Sequence, residues 1–162
     1  MWLLGSGTTA AEIAARQLLG YCYGHFLNPD GSRTSLDMFR SAAAGAPRML
    51  AVRVFVAATV SAAEAQAADY LLWRSRKDLG ADEPLPPAGE ADRHHWTAAE
   101  RTRATRNSRA IVVGDPRQVR ETITTMAAIH DVDEVMINML LPEIGERVSA
   151  YRLLADAFNL RQ

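Results

Sequence analysis

A turn of small and hydroxyl-bearing residues follows the first apolar segment of the sequence. It reads Gly5-Ser6-Gly7-Thr8-Thr9 and leads into an alanine-rich stretch that favours a helix. Small residues let a ligand approach the backbone closely, and free N–H groups at a helix start attract an anion such as a phosphate. A serine or threonine before a helix also serves as an ordinary N-cap. The segment therefore predicts either a phosphate-binding turn or a capped helix.

Histidine and cysteine offer few other candidates for chemistry. His25 closes the apolar run Tyr21 to Phe26, so it lies near the C-terminal end of a predicted strand, on the rim where parallel α/β folds place their ligand sites, and it is the candidate catalytic residue. A neutral histidine bonded to a backbone carbonyl is the alternative. His94 and His95 lack a third ligand at helical spacing, so we predict no metal site. The single cysteine, Cys22, is predicted to be a core residue and is compatible with a reducing cytoplasm.

Three further side chains are predicted to lie on the same rim and to contact substrate. Tyr23 and Phe26 lie near the end of one predicted strand, and Asn138 lies near the end of another. The alternatives are core packing for the two aromatic residues and loop hydrogen bonding for Asn138. His130, at the end of a helix, is predicted to place a favourable positive charge at the helix C-terminus.

Four apolar runs alternate with helical patterns along the chain. The runs that predict strands are Met1 to Leu4, Tyr21 to Phe26, Met49 to Ala58 and Val135 to Leu141. Their continuous apolar character suits strands that are buried on both faces of a parallel sheet. The pattern therefore predicts an α/β fold of parallel β/α units, for which an open four-stranded sheet is the simplest arrangement.

Helix signals fill the gaps between these strands. Ser61 to Glu64 and Thr97 to Glu100 have the spacing of capping boxes, and Asp115-Pro116 supplies an N-cap followed by a first-turn proline. Helices are predicted over Thr9 to Leu19, Ser35 to Ala44, Ser61 to the residue before Gly80, from Thr97, from Pro116, and over Gly145 to Phe158. Residues 1–162 are predicted to form a single domain with an insert at about 81–114, which begins with a proline-rich loop.

Composition excludes several classes of function. The formal net charge is −1, and no basic surface of the kind that binds nucleic acid is predicted. The local run of Arg101, Arg103, Arg106 and Arg109 is interpreted as a solvated helix face. No stretch approaches the ~20 apolar residues that span a bilayer, and no signal peptide is evident, so we expect a cytoplasmic protein that acts on a small molecule.

Segments spread over nearly the whole chain resemble the luciferase-like flavin-dependent monooxygenase family. Their order and spacing carry the resemblance, since each segment alone is weak. The segments are the Leu4–Ala10 turn, the strand end Tyr23-Gly24-His25-Phe26, Asn28–Gly31, Met38–Arg40, Val54–Thr59 with the following Ser61–Glu64, and the tail pieces Val112–Val119, Asp133–Asn138 and Tyr151–Phe158.

This resemblance implies the C-terminal half of a TIM-type (β/α)8 barrel with a share of a flavin pocket. Ser6 and Thr9, with the backbone of Gly7 and Thr8, match the positions that hold the FMN phosphate, and His25 matches a residue near the flavin ring. The implied cofactor is FMN or reduced FMN, and a deazaflavin is the alternative. The implied activity is the oxidation of a small organic substrate by O2 and reduced flavin.

The sequence begins at the segment that matches the middle of the family's barrel, which keeps other interpretations open. One is a flavin-independent half-barrel enzyme of the cyclase or isomerase type. Another is a non-catalytic truncated paralogue or a subunit of a split barrel. These interpretations leave open that this chain alone binds no cofactor. Exposed strand edges predict a homodimer or a partner chain that completes the barrel.

Overall fold

The computed structural model describes residues 1–160. The strands are β1 Trp2–Gly5, β2 Gly20–Gly24, β3 Arg48–Val56, β4 Ile111–Gly114 and β5 Glu134–Asn138. The helices are α1 Thr8–Arg16, α2 Ser32–Ala42, α3 Val60–Asp78, α4 Glu90–Arg93, α5 Ala98–Ser108, α6 Pro116–His130 and α7 Ile144–Ala157.

The four predicted apolar runs all form strands, and their pairing is parallel. β1 pairs with β2, β2 pairs with β3, and β3 pairs with β5. The register places Gly5 beside Tyr23, and Arg53 beside Asn138. Because parallel strands point the same way, the carboxyl ends of β1, β2 and β5 lie along one edge of the sheet. The prediction of a parallel α/β fold is confirmed.

The chain divides into two compact units. Unit 1 comprises Met1–Arg53 and Ile123–Asn138, and unit 2 comprises Val54–Thr122 and the residues from Met139 onward. Every residue that the sequence predicts for the functional site lies in unit 1. The prediction of a single domain stays a prediction.

A fifth strand lies inside the predicted insert. β4 is only four residues long and pairs with β3. The sequence analysis missed it because Ile111, Val112 and Val113 form too short an apolar run to separate from the end of a polar helix. The segment around 81–114 therefore contributes a strand to the sheet as well as helices α4 and α5.

The helix caps agree with the sequence at two of three predicted positions. The Thr97 hydroxyl accepts from the Glu100 N–H at 3.2 Å, the Glu100 carboxylate accepts from the Thr97 N–H at 2.7 Å, and Asp115 accepts from the Gln118 N–H at 2.9 Å. The prediction for α3 is wrong, since Thr59 is its N-cap and accepts from the Ala62 N–H at 3.3 Å. No helix within residues 1–160 is long and apolar enough to cross a membrane.

The core of unit 1 is built around the side chains of β2. Tyr21 and Tyr23 are fully buried, and the Tyr21 ring packs on Phe39 of α2 with ring centroids 5.3 Å apart. Cys22 is also buried, as predicted, and burial raises the pKa of its thiol to about 11. The thiol is therefore a core group rather than a nucleophile at neutral pH.

A buried carboxylate organises the proline-rich loop of unit 2. Asp69 of α3 is buried, and its two oxygens accept from the backbone N–H groups of Gly89 at 2.8 Å and Ala91 at 2.7 Å. These bonds satisfy the carboxylate and hold the start of α4 against α3.

Candidate functional site

Side chains hold the turn between β1 and α1 in place through hydrogen bonds to its carbonyl oxygens. The Tyr21 hydroxyl donates to the Gly7 carbonyl at 3.2 Å. The Asn28 side-chain amide donates to the Ser6 carbonyl at 3.3 Å, and the Tyr23 hydroxyl, whose single proton is shared with the Asn28 carbonyl, lies 3.3 Å from the same oxygen. The turn is therefore fixed by side chains of β2 and of the loop that follows β2.

Tyr23 is the centre of this support. Its hydroxyl donates most closely to the Asn28 carbonyl, at 2.6 Å, and its ring is fully buried. Burial raises the pKa of Tyr23 to about 12, so the hydroxyl keeps its proton and remains a donor. The sequence prediction placed Tyr23 among the rim residues, whereas the structure places it beneath the turn.

Gly31 leaves the space that this hydrogen-bond network occupies. A Cβ atom at Gly31 would lie 2.5 Å from the Asn28 amide nitrogen and 2.8 Å from the Tyr23 hydroxyl oxygen. Real Cβ atoms do not approach other atoms so closely, so a larger residue would displace the Asn28 amide that donates to Ser6. The Asn28–Gly31 segment therefore matters to the turn through packing.

The amide side of the turn is open. Gly7 is the N-cap of α1 and supplies no side-chain cap, and the first turn of α1 contains no acidic residue. Thr8 and Thr9 are exposed, and a Cβ atom at Gly7 would meet nothing within 4 Å. The interpretation of this segment as a helix capped by Ser or Thr is therefore wrong. The first turn of α1 therefore combines a missing side-chain cap with exposed residues, as an anion site at a helix start requires.

His25 lies just beyond the end of β2. Its backbone N–H donates to the Ala51 carbonyl at 2.9 Å, which extends the β2–β3 ladder by one residue. The residue is partly buried, and its Nδ1 atom is buried. The assignment of His25 as a catalytic residue stays a prediction.

Phe26 and Asn138, predicted separately, are joined by an arginine. The Arg53 Nε–H donates to the Asn138 Oδ1 at 2.9 Å, and the Arg53 Cζ lies 4.7 Å from the centre of the Phe26 ring. All three side chains are partly buried. The sequence analysis missed Arg53, although a charged residue between Val52 and Val54 in an apolar strand was a signal that could have identified it.

Comparison with known proteins identifies the family. A model of the luciferase-like monooxygenase family matches residues 1–131. The chain belongs to this family. It is 29% identical over 164 residues to the uncharacterized protein YceB of Bacillus subtilis (strain 168). This alignment covers 98% of this chain and 50% of YceB. The predicted membership of the luciferase-like monooxygenase family is confirmed.

Solved structures show the same fold. The crystal structure of apo-MsnO8 matches with a TM-score of 0.82 and 30% identity, over 99% of this chain and 51% of that one. Flavoprotein 390 matches with a TM-score of 0.62 and 12% identity, over 99% of this chain and 67% of that one. The chain spans about half the length of the curated relatives it matches. The predicted equivalence to half of a luciferase-like fold is confirmed.

His130 differs from the prediction that it places a positive charge at the C-terminus of a helix. It lies at the end of α6, and its Nε2 atom is 3.3 Å from the Ser32 hydroxyl. Burial is the main cause that lowers its pKa, and the nearby Arg33 adds to the effect while Asp37 opposes it. His130 therefore favours the neutral form instead of placing a positive charge at the helix end.

His94 takes part in a helix cap. Its Nε2 lies 3.1 Å from the Glu100 carboxylate, which also closes the capping box of α5. Burial raises the Glu100 pKa, but the hydrogen bonds from Thr97 and His94 outweigh it, so the net shift is downward. Within residues 1–160 no group of three or more His, Cys, Asp and Glu side chains is placed to hold a metal ion.

Unit 2 contains a separate cavity of about 760 Å³. Its lining mixes apolar and charged groups from the end of β3, from α3 and from α7. Gln66, Glu143, Glu146 and Arg152 are among the polar residues. None of the residues that match the family's flavin-binding segment lines this cavity, so the turn of unit 1 remains the candidate site.

Proposed function

We propose that this chain binds FMN through the turn at Ser6 to Thr9 and takes part in the oxidation of a small organic substrate by O2 and reduced FMN. The observation that carries this proposal is the uncapped start of α1, next to carbonyl oxygens that are already hydrogen-bonded. Membership of the luciferase-like monooxygenase family supports it, as does the fold shared with flavoprotein 390.

The phosphate of FMN is held by the first turn of α1. The backbone N–H groups of Thr8 and Thr9 donate to phosphate oxygens, as do the hydroxyls of Ser6 and Thr9. The positive end of the helix dipole favours the dianion. The open space at Gly7 lets phosphate oxygens reach the backbone.

The carboxyl edge of the sheet holds the reacting groups. His25 holds or moves a proton at Nε2 beside the flavin ring, and Phe26 and Asn138 contact the substrate. When bound, reduced FMN supplies the electrons that activate O2, while the protein orients the reactants and excludes water.

The apolar strands at the margins of unit 1 pair outside this chain. Trp2 and Leu4 of β1 are 41% and 49% exposed, and Met136 of β5 is 43% exposed. Burying such large apolar groups is favourable, so a second copy or a partner chain covers them and completes the pocket.

FMN titration of the purified protein tests the proposal. The variant Ser6→Ala/Thr9→Val removes two hydroxyl donors to a charged phosphate and is expected to weaken FMN binding by about tenfold or more. Thr34→Val, an exposed position on α2 that is distant in sequence from the turn, is the control and should leave the affinity unchanged. Wild-type protein that does not bind FMN, or equal affinities in all three proteins, would contradict the proposal.

A further inference from the structure

The hydrogen bond between Arg53 and Asn138 fixes which way the Asn138 amide points. A guanidinium has only donors, so the atom of Asn138 that faces the Arg53 Nε–H must be the oxygen. The amide oxygen and nitrogen diverge from the trigonal Cγ atom. The Nδ2 group, with its two N–H donors, is therefore directed away from the guanidinium.

Arg53 lies against an aromatic ring as well as the Asn138 amide. Its guanidinium carbon lies 4.7 Å from the centre of the Phe26 ring, where a cation is attracted to the ring face. Arg53 and Asn138 are also neighbours in the register of β3 and β5. The planar guanidinium is thus constrained by the Phe26 ring, which lies just beyond the end of β2, and by the Asn138 amide of β5, so it loses little freedom when it bonds.

We propose that Arg53 is a positioning residue that makes Asn138 a hydrogen-bond donor to a carbonyl oxygen of the bound small molecule. This inference rests on the proposed function, in which the carboxyl edge of the sheet receives flavin and substrate. Two ligands can supply the acceptor, since the flavin ring carries two carbonyl groups and the substrate can carry one. Their shared chemistry is a carbonyl oxygen that requires an N–H donor.

Asn138→Asp is the decisive variant. It is isosteric, and its carboxylate still accepts from Arg53, so the contact that orders the edge is kept and strengthened by charge. It replaces the donor with an oxygen that repels a carbonyl. Binding of the ligand that uses this donor is expected to weaken by about tenfold. Circular dichroism checks that the fold is retained.

Arg53→Met and Arg53→Lys test the positioning role. Arg53→Met frees the Asn138 amide to rotate and is expected to weaken binding of the same ligand. The loss of affinity in the double variant with Asn138→Asp should be smaller than the sum of the losses in the two single variants. Arg53→Lys keeps a cationic donor and should restore part of the affinity. If Arg53→Met does not fold, the ligand affinities of Asn138→Asp and Arg53→Lys still test whether Arg53 positions the Asn138 donor.

Two binding measurements distinguish the two acceptors. The first is titration with FMN, together with the visible absorption spectrum of the bound flavin, because losing a hydrogen bond to a ring carbonyl shifts the absorption band. The second is saturation-transfer NMR of the FMN-loaded protein with cyclohexanone, compared with methylenecyclohexane, which has the same shape without the oxygen.

The outcomes separate this inference from the proposed function. A weaker and spectrally shifted FMN complex in Asn138→Asp supports the inference, with the flavin as ligand. Unchanged FMN binding with a lost preference for cyclohexanone supports it with the substrate as ligand. If wild-type protein binds FMN and Asn138→Asp changes neither measurement, this inference alone is overturned. If wild-type protein does not bind FMN, both are overturned.

Discussion

The carbonyl oxygens of Ser6 and Gly7 accept hydrogen bonds from side chains. Tyr21, Tyr23 and Asn28 are the donors, and the helix start that follows the turn has no side-chain cap. The first N–H groups of a helix have no partner within the helix, so an uncapped helix start beside this turn is suited to an external acceptor. The chemistry of the turn comes from this asymmetry and not from any one side chain.

Gly7→Ala tests whether a ligand uses the open side. Gly7 has an extended backbone, with φ of −155°, that any residue adopts, and its Cβ would touch nothing. We expect the free energy of unfolding to fall by less than about 1 kcal/mol, since alanine is a slightly poorer N-cap. FMN affinity should fall by about tenfold, because the methyl group enters the space that the phosphate occupies.

Gly145→Ala is the matched control for that variant. Its Cβ would also meet nothing within 4 Å, and it lies in α7 of unit 2. It should leave FMN affinity unchanged. Equal FMN affinities in Gly7→Ala and wild-type protein would show that no ligand approaches this turn.

The sequence identified the residues of this site better than their roles. Small residues at a strand-to-helix turn are visible as a local pattern, so Ser6 to Thr9 could be predicted. Tyr23 and Arg53 could not be assigned in the same way. The role of Tyr23 depends on which carbonyl oxygen lies near its hydroxyl. The role of Arg53 depends on the strand register that brings Asn138 beside it. Both are contacts between segments distant in the sequence.

Secondary-structure elements in both units are joined by a few buried polar groups. In unit 2 the Asp69 carboxylate satisfies two backbone N–H groups that open α4. Asp69→Asn replaces one acceptor with a donor that faces a backbone N–H. We expect the free energy of unfolding in urea to fall by about 1–3 kcal/mol.

Asp82→Asn provides the comparison for Asp69→Asn. The Asp82 side chain is fully exposed, so removing its charge should change the free energy of unfolding by no more than about 0.5 kcal/mol. Equal effects of the two substitutions would mean that the bonds of Asp69 do not stabilise the loop.

In unit 1 the contact between α2 and α6 should depend on pH. Because burial lowers the pKa of His130, the unfolded chain takes up a proton at higher pH than the folded chain does. The resulting stabilisation is present above the ordinary pKa of about 6.5 and is lost as the pH falls towards the lower pKa of the folded state. We expect unfolding to become easier between pH 7 and pH 5.

His130→Gln isolates this effect, because glutamine does not titrate. Urea unfolding at several pH values should show a smaller loss of stability on acidification in the variant than in wild-type protein. A loss as large in the variant as in wild-type protein would assign the pH dependence to other groups.

Strands and helix starts were predictable where the sequence carries a clear local signal. The parallel strands, the Thr97 capping box and the start of α6 follow from local signals in the sequence. The start of α3 was misplaced because Thr59 and Ser61 are both good caps, and only the backbone turn decides between them. β4 was missed because its strand character depends on β3 beside it.

At the scale of the whole molecule, charge and apolar surface have different consequences. A formal net charge of −1 gives no long-range attraction for an anionic ligand, so the proposed binding of FMN depends on local groups at the start of α1. The exposed apolar side chains of β1 and β5 are instead suited to contact with another chain.

Light scattering after size exclusion tests the proposed pairing. We expect a mass of twice 17.8 kDa for a homodimer, and Leu4→Lys should reduce the mass to that of one chain by placing a charge on the exposed surface. Leu18→Lys, at a position that is 88% exposed beyond the end of α1, is the control. A monomeric wild-type protein that gains no partner would contradict the pairing.

FMN and riboflavin differ in the phosphate that the turn is proposed to hold, so comparing their affinities tests the central proposal most directly. Calorimetric titration of the wild-type protein with each ligand under the same conditions is sufficient. We predict that FMN binds at least about tenfold more tightly, because only FMN places charged oxygens against the N–H groups of Thr8 and Thr9. Equal affinities for the two ligands, or no binding of FMN at tens of micromolar, would contradict the assignment of this turn as a phosphate site.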